Sequence, residues 1–290
     1  MKMNNLLNIV NENLEKFMEV TYPENLFKSM RYTVLLSGKR LRPIMCLETC
    51  RMLGGNIEDA IPTACAIEMY HAMTLIHDDL PCMDNDDYRR GKPTNHKVFG
   101  EATAVLAGDA LLTFAPQIIT KNSKSLGSEK VLRILDEYFQ YAGAYGVIAG
   151  QVVDIESENI PQFQVGNECD VLKFIHTHKT ADLFKLAVRT GAIIANASDD
   201  KLEELTDFAE KLGFAFQIAD DILDEISTFE EMGKTLGKDK NSGKLTYTSL
   251  YGLEKAKCKL SCLLEECHGK IGESVVFKDI IDGIKKRVGI

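Results

Sequence analysis

DAIPTACAIEMYHAMTLIHDDLPCMDNDDYRR, residues 59–90, decides the fold class. From Asp59 to His77 the stretch is almost wholly apolar, and Pro62 falls in a first helical turn, where proline is tolerated. A helix apolar on nearly all sides belongs in the middle of a bundle. The run ends in carboxylates: Asp78 and Asp79, then Asp84. In an unbroken helix Asp84 would point well away from Asp78. Pro81 removes a hydrogen bond and clashes with the preceding turn, so the helix is predicted to end or bulge near Leu80 and let Asp84 swing back. Carboxylates this crowded repel one another and call for a cation between them. A calcium loop is the first rival, since Asp84-Asn85-Asp86 begins like one. It fails at its sixth position, Arg89 in place of glycine, and at its twelfth, Asn95 in place of glutamate.

A second acidic cluster, Asp220, Asp221 and Asp224, obeys helix geometry. Asp220 and Asp224 fall within about 40° on one face, with Asp221 about 100° away and Gln217 one turn earlier. An isolated acidic run is usually a solvated face. Here Phe214, Phe216, Ile218, Ala219, Ile222 and Leu223 leave little room for one. Hard carboxylate oxygens without cysteine or histidine partners suit Mg2+, which shares its shell with water and phosphate. Basic residues follow both clusters and read as phosphate clamps. Arg89 and Arg90 are adjacent, so their side chains diverge toward different groups. Lys234, Lys238 and Lys244 lie in a glycine-rich stretch, a flap or a plain loop. Gly38-Lys39-Arg40-Leu41-Arg42-Pro43 sets cations at a helix start, where free N–H groups favour anions, although a solvated basic turn would look the same. His71 lies seven residues before Asp78 on the same face, as a ligand contact or a satisfied core histidine.

The rest of the chain supports an all-α reading. Helical periodicity opens at Leu6–Met18 and predicts further helices at about 101–120, 130–151, 170–194, 201–226, 244–268 and 274–287. There is no Asn-Gly pair, the one Asp-Gly pair, Asp282-Gly283, falls inside the 274–287 helical stretch, and there is no sustained alternation. Polar loops fall near 121–128, 156–167 and 229–242, none with the composition of a linker, so residues 1–290 read as a single domain. Apolar residues make up 45% and charged residues 27%, as in a soluble globular protein. The net charge of −9 disfavours nucleic acid. The eight cysteines include Cys258, Cys262 and Cys267 at helical rather than zinc-site spacing. With no secretory segment and no run approaching a membrane span, the expectation is reduced thiols in the cytoplasm.

The ordered motifs GKRLRP, HAMTLIHDDLPCMDNDDYRRGKPTNHKVFGEATAVLAGDALL, HKT, FQIADDILD and GKTLGKDKNSGKLTY, spread from Gly38 to Tyr247, resemble the trans-prenyl diphosphate synthases of the farnesyl and geranylgeranyl type. That resemblance implies an isoprenoid synthase fold, a helical bundle with a deep central apolar cavity. It also implies a homodimer and three Mg2+ per active site, with Mn2+ able to substitute. The implied reaction joins isopentenyl diphosphate to an allylic diphosphate, dimethylallyl or geranyl, by ionisation, condensation and elimination. Carried over position by position, Asp78, Asp79 and Asp84 hold two ions, and Asp220, with Asp221 and Asp224 near it, holds the third. Arg89, Lys179, Thr180, Gln217, Lys234 and Lys244 surround the allylic diphosphate. Lys39, Arg42, His71 and Arg90 bind isopentenyl diphosphate, and Gln151 and Asp154 match a helper position. A non-catalytic partner subunit would have lost the aspartates, and a terpene cyclase would not need the GKRLRP site, so both are remote readings.

Product length is read at Met73 and Thr74, which the resemblance makes the floor beneath the growing tail. Bacterial farnesyl synthases commonly carry a bulky aromatic at the position of Met73. Methionine blocks less firmly, and Thr74 is small, which admits a C20 tail. The expectation keeps C15, farnesyl diphosphate, ahead of C20, because Tyr70, Phe114 or Phe99 could supply an aromatic floor.

Overall fold

The computed structural model describes residues 1–158, 168–227 and 244–290. Helices dominate them: α1 (Met3–Phe17), α2 (Glu24–Val34), α3 (Leu41–Met52), α4 (Ile57–Asp78), α5 (Asn95–Phe99), α6 (Glu101–Asn122), α7 (Ser128–Ala142), α8 (Val147–Glu158), α9 (Glu168–Ile175), α10 (Asp182–Ile194), α11 (Asp199–Ile226), α12 (Tyr247–Tyr251), α13 (Leu253–His268) and α14 (Val275–Val288). A π-helical turn, His176–Ala181, joins α9 to α10. The strand content among the described residues is one antiparallel hairpin, β1 (Tyr88–Arg89) with β2 (Lys92–Pro93). The all-α expectation holds. The described residues form two compact units: 1–135 with 190–196, and 136–158 with 168–189, 197–227 and 244–290.

In the first unit α4 packs on α3 and α6. The Asn56 side chain caps α4 by accepting from Glu58 N, and every residue from Ala60 to Tyr70 is buried. This is the all-round apolar helix the sequence predicts, surrounded by neighbours. Gly108 sets the α4–α6 approach: a Cβ there would stand 2.0 Å from His77 Nε2. That ring nitrogen lies 3.1 Å from the Val105 carbonyl, so α4 is tied to α6 just before the first acidic cluster. By length and composition α6 could cross a membrane, which the sequence reading did not expect of any helix. Ala104, Ala107, Gly108 and Leu111 nonetheless bury one of its faces.

In the second unit α11 packs against α13, α14 and the π turn. Phe208 and Phe277 meet edge to face at 5.1 Å between α11 and α14. Two glycines let neighbouring backbones close on the π turn. A Cβ on Gly150 would lie 2.1 Å from Lys179 N, and one on Gly213 would lie 2.5 Å from Ala181 Cα.

Three expected helices are divided. The 130–151 stretch breaks between α7 and α8, where Gly143 and Gly146 fall. The 170–194 stretch contains the π turn, and the 244–268 stretch divides at Gly252, whose φ of +82° suits glycine. The hairpin turns on Arg90 and Gly91, with φ of +54° and +73°. A two-residue hairpin loop with both central residues left-handed is the type I′ arrangement. Arg-Gly is not a common sequence signal for it, which is why periodicity passed over these strands.

Candidate active site

The first acidic cluster is shaped by the end of α4. Asp79 is the C-cap, and Pro81 follows. The chain then curls back: Asp84 N donates to Asp78 O at 2.8 Å, and Asp86 N donates to Asp79 O at 3.2 Å. Asn85 takes a φ of +50° at the bend. The return of Asp84 to Asp78 is what the proline break predicts.

Asp79 is committed elsewhere. It is buried, and Arg89 Nε donates to its two oxygens at 2.7 and 2.9 Å, with Arg89 Nη2 2.5 Å from Oδ1. Burial pushes the Asp79 carboxyl up to about 6, and Arg89 pulls against that shift. The two residues that the resemblance gives separate duties, one toward metal and one toward substrate, form a single pair in the structure.

Arg90 leaves in another direction. Its Nη1 donates to the Leu36 carbonyl at 3.4 Å, and its guanidinium lies against Gly38 in the GKR turn. His71 is held neutral well below the usual histidine range, first by burial and then by Arg42, Arg90, Arg89 and Arg40. Four arginines therefore act electrostatically on one imidazole, and the predicted residues Arg42, His71 and Arg90 share one cationic neighbourhood. Lys39 is exposed on the same turn. Arg89 and Arg40 are paired with Asp79 and Glu68, and the positive charge beside them suits an anion.

The second unit carries the other half of the predicted residues. On α11, Asp221 is buried and its oxygens are engaged: Oδ1 accepts from Gln217 Nε2 at 2.9 Å, and Oδ2 accepts from Tyr247 N at 2.8 Å. His176 Nε2 stands 3.3 Å from the same Oδ2. Gln217 Oε1 accepts from Thr180 at 2.6 Å. Asp221 thus links α11, the π turn and the start of α12. Asp220 and Asp224 are half-buried, and Asp220 lies 3.3 Å from Arg287 of α14. On α8, Asp154 gathers two predicted lysines: Lys179 Nζ at 2.5 Å and Lys244 Nζ at 3.9 Å. Gln151, one turn earlier, keeps a buried Nε2 without a hydrogen-bond partner. Lys234 and Lys238 lie outside the described residues.

Arg40, Glu68, His176 and Arg287 were not singled out as site residues from sequence. Arg40 lay inside the quoted GKRLRP motif. Glu68 is a lone carboxylate within an apolar helix, which signals a buried partner. His176 precedes HKT by two residues, and Arg287 sits in a basic stretch with no mark of its own.

Among the described residues no three His, Cys, Asp or Glu side chains gather tightly enough to form a complete metal cage. The donor set fits Mg2+, which uses one or two carboxylates and takes its other ligands from water and substrate phosphate. Asp78 and Asp84 in the first unit and Asp220 and Asp224 in the second carry carboxylates of that kind, while Asp79 and Asp221 hold Arg89 and Gln217.

Comparison with known proteins returns one family. The family model described as polyprenyl synthetase matches residues 23–282. Geranylgeranyl pyrophosphate synthase 7 of Arabidopsis thaliana is 49% identical over 264 residues, covering 91% of this chain and 75% of that protein. An apo crystal structure of an FPP/GFPP synthase from Zymomonas mobilis superimposes with a TM-score of 0.85 at 31% identity, covering 99% of this chain and 97% of that one. A geranyltransferase from Helicobacter pylori, complexed with magnesium and isoprenyl diphosphate, gives a TM-score of 0.80 at 30% identity, covering 98% and 97%.

Proposed function

This chain belongs to the polyprenyl synthetase family, and on that premise we propose that it is a geranylgeranyl diphosphate synthase, extending allylic diphosphates with isopentenyl diphosphate to a C20 product. Short-chain prenyl transfer is the activity of the family to which both acidic clusters and their cations belong. The C20 length is the finer step. It is supported by the name of the Arabidopsis relative and by the residues beneath Asp78. Met73 is buried without being aromatic, and the Thr74 hydroxyl donates back to the His71 carbonyl at 2.8 Å. Thr74 therefore offers only its small body. Two of the aromatics that could have favoured C15 are otherwise engaged. Tyr70 is buried completely in the α4 core, and Phe99 sets its ring edge-on to Tyr32 at 5.6 Å.

Each residue's part in the reaction follows from its charge. Asp78 and Asp84 would hold Mg2+ in the first unit and Asp220, with Asp224, in the second; that magnesium takes part at all is supported by the Helicobacter neighbour, which is complexed with it. Bound there, Mg2+ neutralises the leaving diphosphate and so eases ionisation of the allylic C–O bond. Lys179 and Lys244, kept near one another by Asp154, carry the remaining positive charge toward that diphosphate. Thr180 and Gln217 fix the π turn that presents Lys179. Arg42, Arg90, Lys39 and His71 bind isopentenyl diphosphate, whose double bond attacks the allylic carbon. A proton then leaves the adjacent carbon, and the released diphosphate is the base at hand. The apolar residues around the tail exclude water, which would quench the cation.

A homodimer belongs to the same reading, supported by Val105 and Leu106 exposed on α6. So does a cytoplasmic setting, supported by eight free thiols. The deciding experiment incubates the purified protein with Mg2+, isopentenyl diphosphate and dimethylallyl, geranyl or farnesyl diphosphate. The dephosphorylated products are then separated against C10 to C25 standards. C20 as the main product from all three primers is expected, and accumulation of C15 with no use of farnesyl diphosphate would overturn the length.

A further inference from the structure

The cation that grips isopentenyl diphosphate needs a rigid seat, because a flexible arginine loses much of its attraction to the freedom it gives up. The structure shows such a seat under Arg90. Arg40, the N-cap of α3, takes a φ of +48° and turns its guanidinium inward. Its Nη1 donates to Glu68 Oε1 at 2.7 Å, and both side chains are 3% exposed. Its Nη2 donates to the Leu36 carbonyl at 2.8 Å, and its Nε donates to Asn11 at 3.1 Å. The Leu36 carbonyl also accepts from Arg90. One carbonyl is therefore shared by a buried structural arginine and a site arginine. Glu68 attracts both, which offsets repulsion between two guanidiniums so near each other.

Gly38 completes the arrangement. A Cβ there would lie 2.8 Å from Arg90 Nη1 and 2.9 Å from Cζ, and all three nearest atoms belong to that guanidinium. Arg90 lies across the bare glycine backbone. A methyl at this position meets only the tip of a long side chain, so the fold can accommodate it by displacing the guanidinium.

We propose that Gly38, Arg40 and Glu68 are positioning residues that aim Arg90 at isopentenyl diphosphate, with the glycine acting as seat and the buried pair as bracket. The inference rests on the assignment of Arg90 to that substrate. None of the three touches the allylic diphosphate in this scheme. Their loss acts on one substrate constant and leaves the other alone, which distinguishes positioning from general damage.

The test uses Gly38→Ala, Glu68→Gln, Arg90→Gln and the double variant Gly38→Ala/Arg90→Gln in the full-length protein with Mg2+. The KM of each substrate, kcat and the melting temperature are measured. Gly38→Ala is expected to raise the KM for isopentenyl diphosphate about tenfold or more, the scale of a charge-assisted contact. The allylic KM should stay within about twofold and the fold should persist. Glu68→Gln should act in the same direction, and Gly38→Ala carries the test if that variant does not fold. The double variant should be no worse than Arg90→Gln alone, because both changes remove one contact. Should Arg90→Gln raise the isopentenyl KM while Gly38→Ala leaves it unchanged, the seat is wrong and the substrate assignment stands. Equal losses on both substrates, or additive losses in the double variant, likewise overturn the seat. An Arg90→Gln variant with normal isopentenyl KM overturns the substrate assignment itself.

Discussion

Gly150→Ala tests whether the π turn sets the position of Lys179, the lysine proposed to face the allylic diphosphate. The new Cβ would begin 2.1 Å from Lys179 N, 2.7 Å from His178 C and 2.8 Å from Lys179 Cα. These are backbone atoms, which cannot swing aside as a side chain can. Ordinary van der Waals contact begins near 3.4 Å, so α8 and the π turn must part by about 1.3 Å. The Asp154–Lys179 contact, 2.5 Å at present, bridges these same two elements and would stretch toward 3.8 Å. Overpacking of this kind costs roughly 1–3 kcal/mol of stability. Misplacement of about 1 Å at a catalytic group can cost on the order of 100-fold in rate. The variant should remain folded by circular dichroism with a lowered melting temperature, and kcat measured at saturating concentrations of both substrates should fall by one to two orders of magnitude. A stable Gly150→Ala protein with unchanged kcat would refute the argument that this helix contact fixes Lys179.

Chelation of Mg2+, Asp78→Ala and Asp220→Ala should each cut turnover by several orders of magnitude while helicity persists, and near-normal turnover in any of the three would remove the metal assignment. Met73→Tyr should shorten the product toward C15 and Met73→Ala should lengthen it, as read by chromatography; an unchanged product distribution in both means Met73 is not the floor. His71 should stay neutral well below pH 6.5 in the substrate-free protein, followed by NMR of its ring. The unfolded chain takes up that proton first, so the His71 contribution to stability is complete above about pH 6.5 and is lost as pH falls toward the lowered folded value. Its sign would be refuted if replacing His71 by Gln made the protein less resistant to acid than wild type.

Much of this site was legible because helix geometry and proline chemistry are local. The break at Pro81 and the return of Asp84 follow from a few neighbouring atoms, and the structure places them as expected. The shared cationic neighbourhood of Arg42, His71 and Arg90 was legible only through motif resemblance, since no local rule brings residues so far apart in sequence together. What escaped depends on pairing across elements. Nothing in the sequence tells that Asp79 turns inward to Arg89, or that Asp221 is engaged by Gln217, Tyr247 and His176. Carboxylates in one cluster look alike until the fold gives each its partners. The π turn escaped for a related reason: the backbones that close on it do so at Gly150 and Gly213, on helices separated from it in sequence.

The hairpin after the first acidic cluster makes two neighbouring arginines serve separate addresses. Arg89, on its strand, goes to Asp79, and Arg90, in the left-handed turn, goes to Leu36 and Gly38. The sorting depends on counting. With only two residues in the loop, an insertion or deletion of one would move Gly91 out of its left-handed slot and send each side chain to the opposite face. Point substitutions at Lys92 or Tyr88 leave that count intact, whereas a change of one residue in loop length would misdeliver both charges at once. This short ribbon should therefore tolerate changes in composition far better than changes in length.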